Sequence, residues 1–527
     1  MNTDIMDKQP IVKLTSGALI IALFSVASRL MGVVRDRMLA HTYGAGVELD
    51  AYYAAFRIPD FIFNTIVLGA VASAFIPVFL SLKRERAESA MKLAHTLMTG
   101  IVMMLIFWAI LGIILAPQLM ALIAPGFDIE RLALAIKLTR IMLIATIFFG
   151  ASNVVGSILQ ADRRFTAFAA APMAYNVGII AGLLMLVPRV GPIGLAWGVV
   201  AGSILHLIVQ LPAAWRSGFG LKLSFAFNNE AVRRVGSLLA PRTLGLAAAQ
   251  FNQLMTAGFI SHLSVGTLTA FALATNLQSF PISVFGVSLA VAAFPVFSQA
   301  FGEGDHNNFR QHFEESVRRI LFFVLPMAVL FLVLRAQIVR VVLGSGSFDW
   351  ADTIRTAQAL GFLALAMVSD SLVPLVARVF YALQDTRTPV IISVVSILVN
   401  FVLLISLSRF GLAGIGMAYV ASSVTNLGLL LAVLGKKLPN LGADVILRGS
   451  RTMTAAAVVA GAGAYATLRT IAPLVNMRTF LGIATQGLVA GLVDVACYLI
   501  IVLAWRLPEV EFVRRWLRSA WKVIRPL

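Results

Sequence analysis

Arginines inside long apolar runs are the residues of this sequence best able to do chemistry. A charged side chain in hydrocarbon costs at least about 2.5–3.5 kcal/mol on insertion scales, so its presence points to a task. The first apolar run carries Arg29, Arg35, Asp36 and Arg37. At about 100° per residue, Arg29 and Asp36 fall on one stripe with Gly32 between them, and Arg35 lies about a third of a turn away. Gly32 offers a flex point. In the second run Asp50, Ala54, Arg57, Phe61 and Asn64 follow helical spacing, so Asp50 and Arg57 share a face. Pro59 removes a backbone donor there and invites a kink. Two or three such guanidinium groups facing a cavity would form an anion receptor. The fork gives phosphate two parallel hydrogen bonds and keeps its charge when desolvated. A phosphate-bearing amphiphile suits the site, with its headgroup on the arginines and its chain in lipid.

Each group also has a structural reading. Arg35, Asp36 and Arg37 stand near one helix end and could snorkel as an interfacial ion cluster. Arg57 could pair with Asp60. The second half answers the first with fewer charges: Arg242 beside Pro241, then Gln250, Asn252 and Gln253, and further on Thr275, Asn276, Gln278 and Ser279. These amides could bind headgroup sugars or bond to neighbouring helices. The basic site is therefore concentrated in the N-terminal part.

The elements that must position these groups are membrane spans. Of 527 residues, 59% are hydrophobic and 13% charged, with a mean hydropathy of +0.91. A soluble domain has about 45–50% apolar and about 25% charged residues. This composition excludes a soluble multidomain enzyme, and it excludes disorder, which needs the opposite bias. Apolar runs occupy 17–40, 51–81, 94–116, 133–159, 166–187, 192–214, 236–261, 267–299, 318–340, 356–382, 389–408, 411–434, 452–471 and 479–505. They are too long and too uniformly apolar for barrel strands of about 10 alternating residues. The expected fold is all-α and integral to the membrane, with about 14 transmembrane helices. Val26-Ala27-Ser28 has the small residues of a signal cleavage site, but the segment runs on through Arg29 with its own pattern.

The net charge is +18. With the N-terminus inside, the inner loops collect Lys83, Arg84, Arg86, Arg163, Arg164, Arg216, Arg233, Arg234, Arg318, Arg319, Lys436 and Lys437, and the tail adds Arg514, Arg515 and Arg518. The outer loops hold few, among them Arg131, Arg189 and Arg409. This asymmetry puts both termini in the cytoplasm and accounts for most of the charge without nucleic acid. Cys497 is the lone cysteine, the six histidines are scattered, and no phosphate-binding loop occurs. No metal or cofactor is expected. An enzyme acting on polyprenyl phosphates would need paired loop acids or histidines, whereas Asp370 and Asp494 stand isolated. A membrane potential, or a coupling cation among Gln250, Asn252 and nearby carbonyls, would each fit as the energy source.

The halves repeat at an offset of about 220 residues. Arg189, Gly191 and Gly194 recur as Arg409, Gly411 and Gly414. The ladder Gly194, Gly198, Gly202 returns as Gly414, Ala418, Ser422. Gln160, Arg163 and Asn176 keep their spacing in Gln384, Arg387 and Asn400. Phe75-Ile76-Pro77-Val78-Phe79 is echoed by Phe294-Pro295-Val296-Phe297. A six-helix unit returns the chain to the same side, so two parallel lobes around a central cavity are expected. They would span 1–225 and 226–440, with two extra helices and a basic tail in 441–527.

The stretches ASRLMGVVRD (27–36), YGAG (43–46), DAYYAAFRIP (50–59), SAFIPVF (73–79), VFGVSLAVAAFPVFS (284–298) and, most specifically, RVFYALQDTRTP (378–389) followed by Asn400 resemble the MurJ (MviN) family of lipid II flippases. The likeness runs from the first span through the twelfth. It implies a member of the MOP exporter superfamily that moves the undecaprenyl-pyrophosphate-linked peptidoglycan precursor outward across the bacterial inner membrane. It puts Arg29 and Arg35 at the family's cavity arginines and Asp36 and Asp50 at acidic positions of its signature. It also gives the last two helices to the lipid tail. The family usually has a pair of arginines where this chain has Phe63 and Asn64, an acid at Leu68, and Asp-Arg at Thr275-Asn276. Arg57 and Arg242 are the expected replacements for that charge. The expected partners are the polyprenyl-pyrophosphate-linked precursor and membrane lipids, with the chain working as a monomer and as a transporter, not an enzyme. The alternatives are export of another lipid-linked saccharide, a cationic-drug exporter, which the arginines oppose, or a non-transporting scaffold.

Overall fold

Hydrocarbon offers no water to backbone N–H and C=O groups, so an apolar run of this length must bond to itself. In the computed structural model each of the fourteen runs is helical along most of its described length, and no strand occurs among the described residues. The structure describes residues 9–68, 71–438, 443–477 and 479–511, with side chains at 23–67, 74–237, 247, 250–438, 450–477 and 479–511. Ten segments are long and apolar enough to cross a membrane, judged by length and composition. One of them, 387–437, holds two helices parted by a turn at Ser408–Phe410.

The chain opens with α1 (Gln9–Tyr43), followed by a broken limb of α2 (Val47–Ala55), α3 (Arg57–Phe63), a π segment (Asn64–Leu68) and α4 (Val71–Glu85). Then come α5 (Ala87–Ile123), α6 (Ile129–Ala161), α7 (Phe165–Ala181), α8 (Val187–Val190), α9 (Ile193–Ile208) and α10 (Leu211–Trp215). The second half has α11 (Glu230–Ser261), α12 (Thr267–Pro281), α13 (Ser288–Gly302), α14 (His306–Val333), α15 (Arg335–Leu343) and α16 (Trp350–Ala382). It ends with α17 (Arg387–Leu407), α18 (Gly411–Lys437), α19 (Ala443–Ile471) and α20 (Phe480–Ala504). Polar residues between the runs set several starts. Asp128, Asn229, Asp305, Asp349 and Thr479 each accept a backbone N–H of the helix they precede, satisfying donors that have no partner within the helix.

Two compact units emerge, Met1–Thr269 and Ala270–Leu527. In the first, α6 packs against α5 and α9, and α7 packs against α9 and α1. Helices α7 and α9 approach backbone to backbone: a Cβ built on Gly178 would stand 2.2 Å from the Gly202 Cα. The glycine ladder is thus used for close packing. Helix α11 packs on α3, α4 and α5, so the run 236–261 falls in the first compact unit. In the second unit α16 runs between α13, α14 and α18, α17 lies on α18, and α19 and α20 pack on each other and on α14. Phe297, Phe313, Ile320, Val324 and Phe380 fill that core.

The repeat shows in backbone detail. Two π segments, Asn64–Leu68 and Ile282–Val287, interrupt the second and eighth runs at the same distance ahead of Pro77 and Pro295. Gly191 and Gly411 both turn at positive φ, 65° and 64°, a conformation that costs glycine nothing. One correspondence is corrected. Gln160 lies within α6, whereas Gln384 sits in the turn after α16 at φ 58°, the counterpart of Arg163 at φ 56°. The two turns differ in length, which the sequence spacing concealed.

The segment 378–389 has a local job. Asp385 accepts the backbone N–H groups of Arg387 (3.1 Å) and Thr388 (3.0 Å) and the Thr388 hydroxyl, while Lys437 reaches it from the end of α18. Slight burial works to raise the Asp385 carboxyl, but Lys437 and Thr388 outweigh it and hold the pKa at about 2. This lies below the unfolded value of about 3.9. The stabilisation is therefore complete above about pH 4 and lost as pH falls through about 2. Asp385→Asn is expected to lower stability at neutral pH by up to about 1 kcal/mol, the size for an exposed pair, and to flatten the fall below about pH 4. Melting in detergent across pH checks this, and an unchanged profile would remove the clamp.

Candidate functional site

Helix α1 presents its two arginines differently. Arg29 is partly exposed and makes no hydrogen bond or ion pair among the described residues. A Cβ built on Gly32, about one turn along, would meet nothing within 4 Å, so the helix borders open space at that turn. Arg35 is about 9 Å further along the axis, and it is held. Its Nε and Nη2 donate to Asp36 Oδ1 at 3.0 and 2.8 Å, and its Nη1 donates to Asn176 Oδ1 at 3.1 Å. The Asn176 amide in turn donates to the carbonyls of Ser28 and Pro172. Helix α7 thereby aims the guanidinium, on a side chain that stays 21% exposed. Asp36 is buried and serves Arg35. This is the ion cluster allowed for in the sequence, but it anchors to α7 as well.

Asp50 is placed as a clamp. It is 1% exposed, and its oxygens accept Gly266 N (2.7 Å), Thr269 N (2.8 Å) and the Thr269 hydroxyl (2.7 Å). Arg131 approaches to 3.7 Å and is itself held by Asp128. The carboxylate fixes the turn before α12 and the first turn of that helix. Arg131, a loop charge by sequence, belongs to this buried network.

Arg57 looks to the same side as Asp50, as the spacing predicts, and donates to Gln253 of α11 at 3.1 Å, while its buried Nε finds no partner among the described residues. It makes no contact ion pair with Asp60 among the described residues, although the two are a turn apart. Asp60 faces a cavity of about 210 Å³, with Phe56, Phe63, Asn64, Thr146, Phe149 and Tyr175 in its walls. Asn64 therefore does line a cavity, at the start of the π segment. In the second unit Asn276 is exposed on α12. Arg242 lies on α11, and its side chain is outside the described residues.

Three residues escaped the sequence. Asn176 was legible as a repeat position but not as the residue that holds Arg35. Asp60 couples to Arg57 through charge without a contact ion pair among the described residues, and it is also a cavity wall. Asp370, isolated in sequence, accepts Gln278 and Tyr419 at 3.1 Å each and the Ser423 hydroxyl. Chemically, α1 offers one guanidinium with all its donors available and a second, fixed one. That pair suits an extended anion with several phosphate oxygens.

The family model described as lipid II flippase MurJ matches residues 39–485, a span that opens after Arg29 and Arg35. A Burkholderia cenocepacia protein named lipid II flippase MurJ is 28% identical over 380 residues, 70% of this chain and 74% of the relative. A Vibrio cholerae protein named probable lipid II flippase MurJ is 26% identical over 519 residues, 93% of this chain and 96% of the relative. A solved lipid II flippase MurJ in an inward closed conformation superposes with a TM-score of 0.77 at 22% identity, over 93% of this chain and 99% of that one. An inward-facing multidrug resistance MATE family transporter of the MOP superfamily gives 0.65 at 14% identity, over 79% and 96%. At these identities the superpositions speak for fold alone.

Proposed function

Because the chain belongs to the lipid II flippase MurJ family, we propose that it moves lipid II, the polyprenyl-pyrophosphate-linked peptidoglycan precursor, from the inner to the outer leaflet of the bacterial cytoplasmic membrane. The observation that carries this reading is Arg29, a guanidinium in an apolar helix with no internal partner among the described residues and open space about one turn along. A persistent charge in such a place is costly unless an anion meets it. The diphosphate would rest on the Arg29 fork and the exposed edge of Arg35, while the polyprenyl chain stays in lipid or along α19 and α20. Access to this site would alternate between the two faces of the membrane, with both termini cytoplasmic by the distribution of basic loops. The chain would act as a monomeric transporter and make or break no bond. A membrane potential or a coupling cation would drive it.

The test is depletion of the chain in its own bacterium, followed by measurement of which lipid-linked precursor builds up on the cytoplasmic face. Accumulation of lipid II is expected. Accumulation of a different lipid-linked saccharide would move the reading to another exporter, and no accumulation would leave a scaffold.

A further inference from the structure

The cavity at Asp60 has no part in the reading above. Its volume of about 210 Å³ is below the roughly 300–1,000 Å³ of a site for a drug-sized ligand, so it suits a single side-chain-sized group. Four rings line it, Phe56, Phe63, Phe149 and Tyr175, and Asp60 is its one charged wall residue. The rings brace one another: Phe149 lies 4.9 Å from Tyr175 and 5.4 Å from Phe63 by centroid. The Asp60 carboxylate takes no hydrogen bond or contact ion pair among the described residues, and Arg57 donates to Gln253 instead. A carboxylate among aromatic faces attracts a cation. An organic ammonium sheds water more cheaply than an alkali ion, which would need more oxygens than Asp60, Asn64 and Thr146 provide.

The second repeat shows the same place with its carboxylate satisfied. Matched by helix ends, Phe149 of α6 corresponds to Asp370 of α16; matched by the π segments, Asp60 corresponds to Gln278. Matched by the left-handed glycines, Val199 corresponds to Tyr419. In the second unit Gln278 and Tyr419 both donate to Asp370. In the first unit the carboxylate stands on the other helix, a ring takes the place of Asp370, and a valine takes the place of the donor Tyr419. It is left with an aromatic box and, among the described residues, with no hydrogen bond or contact ion pair, Arg57 a turn away acting on it through charge alone.

We infer that the cavity between α3, α6, α7 and α9 binds a small organic ammonium group, with Asp60 supplying the charge and the four rings the cage. Helix α7 links it to the arginine site, since Tyr175 lines the cavity and Asn176 holds Arg35. The site would therefore read an amine on the transported headgroup. That last step rests on the flippase reading; the binding does not.

The test titrates choline against the purified full chain by calorimetry, with 3,3-dimethyl-1-butanol as its uncharged isostere. Saturable choline binding, about tenfold or more tighter than the isostere, is expected. Asp60→Asn should weaken it about tenfold, Phe149→Leu should weaken it less, and sodium at matched ionic strength should not compete. Equal binding of choline and its isostere, no saturable binding, an unaffected Asp60→Asn chain, or displacement by sodium would each overturn the inference. The isostere comparison uses the unaltered chain, so it does not depend on how the variants fold. Choline binding in a chain that fails to move lipid II would separate this inference from the flippase reading.

Discussion

Replacing Arg29 with alanine is expected to abolish rescue of a flippase-depleted bacterium while the chain accumulates normally in the membrane. The structure supports both halves of that outcome. Arg29 makes no hydrogen bond or ion pair among the described residues and is partly exposed, so little folding energy is lost with it. A hydrogen bond to a charged group contributes about 1.5–3 kcal/mol. Losing the two that a guanidinium fork gives a diphosphate should slow transport by about two powers of ten or more. Arg35→Ala should also impair rescue, but through two routes, because it removes a phosphate donor and two hydrogen bonds to buried Asp36. Arg29→Ala is therefore the cleaner variant. Full growth with both arginines replaced would remove the phosphate receptor.

Asp50→Ala is expected to be the most destabilising single change in the first unit, at about 3 kcal/mol, the low end of the range for breaking a buried ion pair. It strands the N–H groups of Gly266 and Thr269 and takes one of two carboxylates from Arg131. Asp50→Asn keeps the shape and part of the hydrogen bonding, so it should lose less than the alanine variant. Melting of the purified chain in detergent measures both. A chain that melts unchanged with Asp50→Ala would show that these bonds do not hold the turn before α12. On this account Asp50 would matter through the fold of the turn before α12.

That contrast shows what the sequence could reveal and what it could not. Span positions were legible because a membrane leaves an apolar run only the helix. Even the shared face of Asp50 and Arg57 was legible, since a helical phase survives the short break at Phe56. What covers that face was not: α11 and the turn behind it come from about 200 residues later in the chain, and no local pattern reports such packing. Asp36 shares a stripe with Arg29, yet it is the adjacent Arg35 that it holds, because a side-chain fork reaches beyond helical spacing. The seventh run reads as the head of a second lobe from the repeat, while its packing places it with the first unit. Pro59 marked the break at Phe56 between α2 and α3, because it has no N–H to give the Ala55 carbonyl, but no local pattern marked the π segment at Asn64. The offset of the two turns after α6 and α16 was concealed by similar residues at slightly different positions.

The most direct measurement is the affinity of the purified chain for a polyprenyl diphosphate, compared between the unaltered protein and Arg29→Ala. A loss of about tenfold or more, with no change for the corresponding uncharged polyprenol, is the predicted result. Equal diphosphate affinity in the two proteins would contradict the assignment of Arg29 as the group that meets the headgroup.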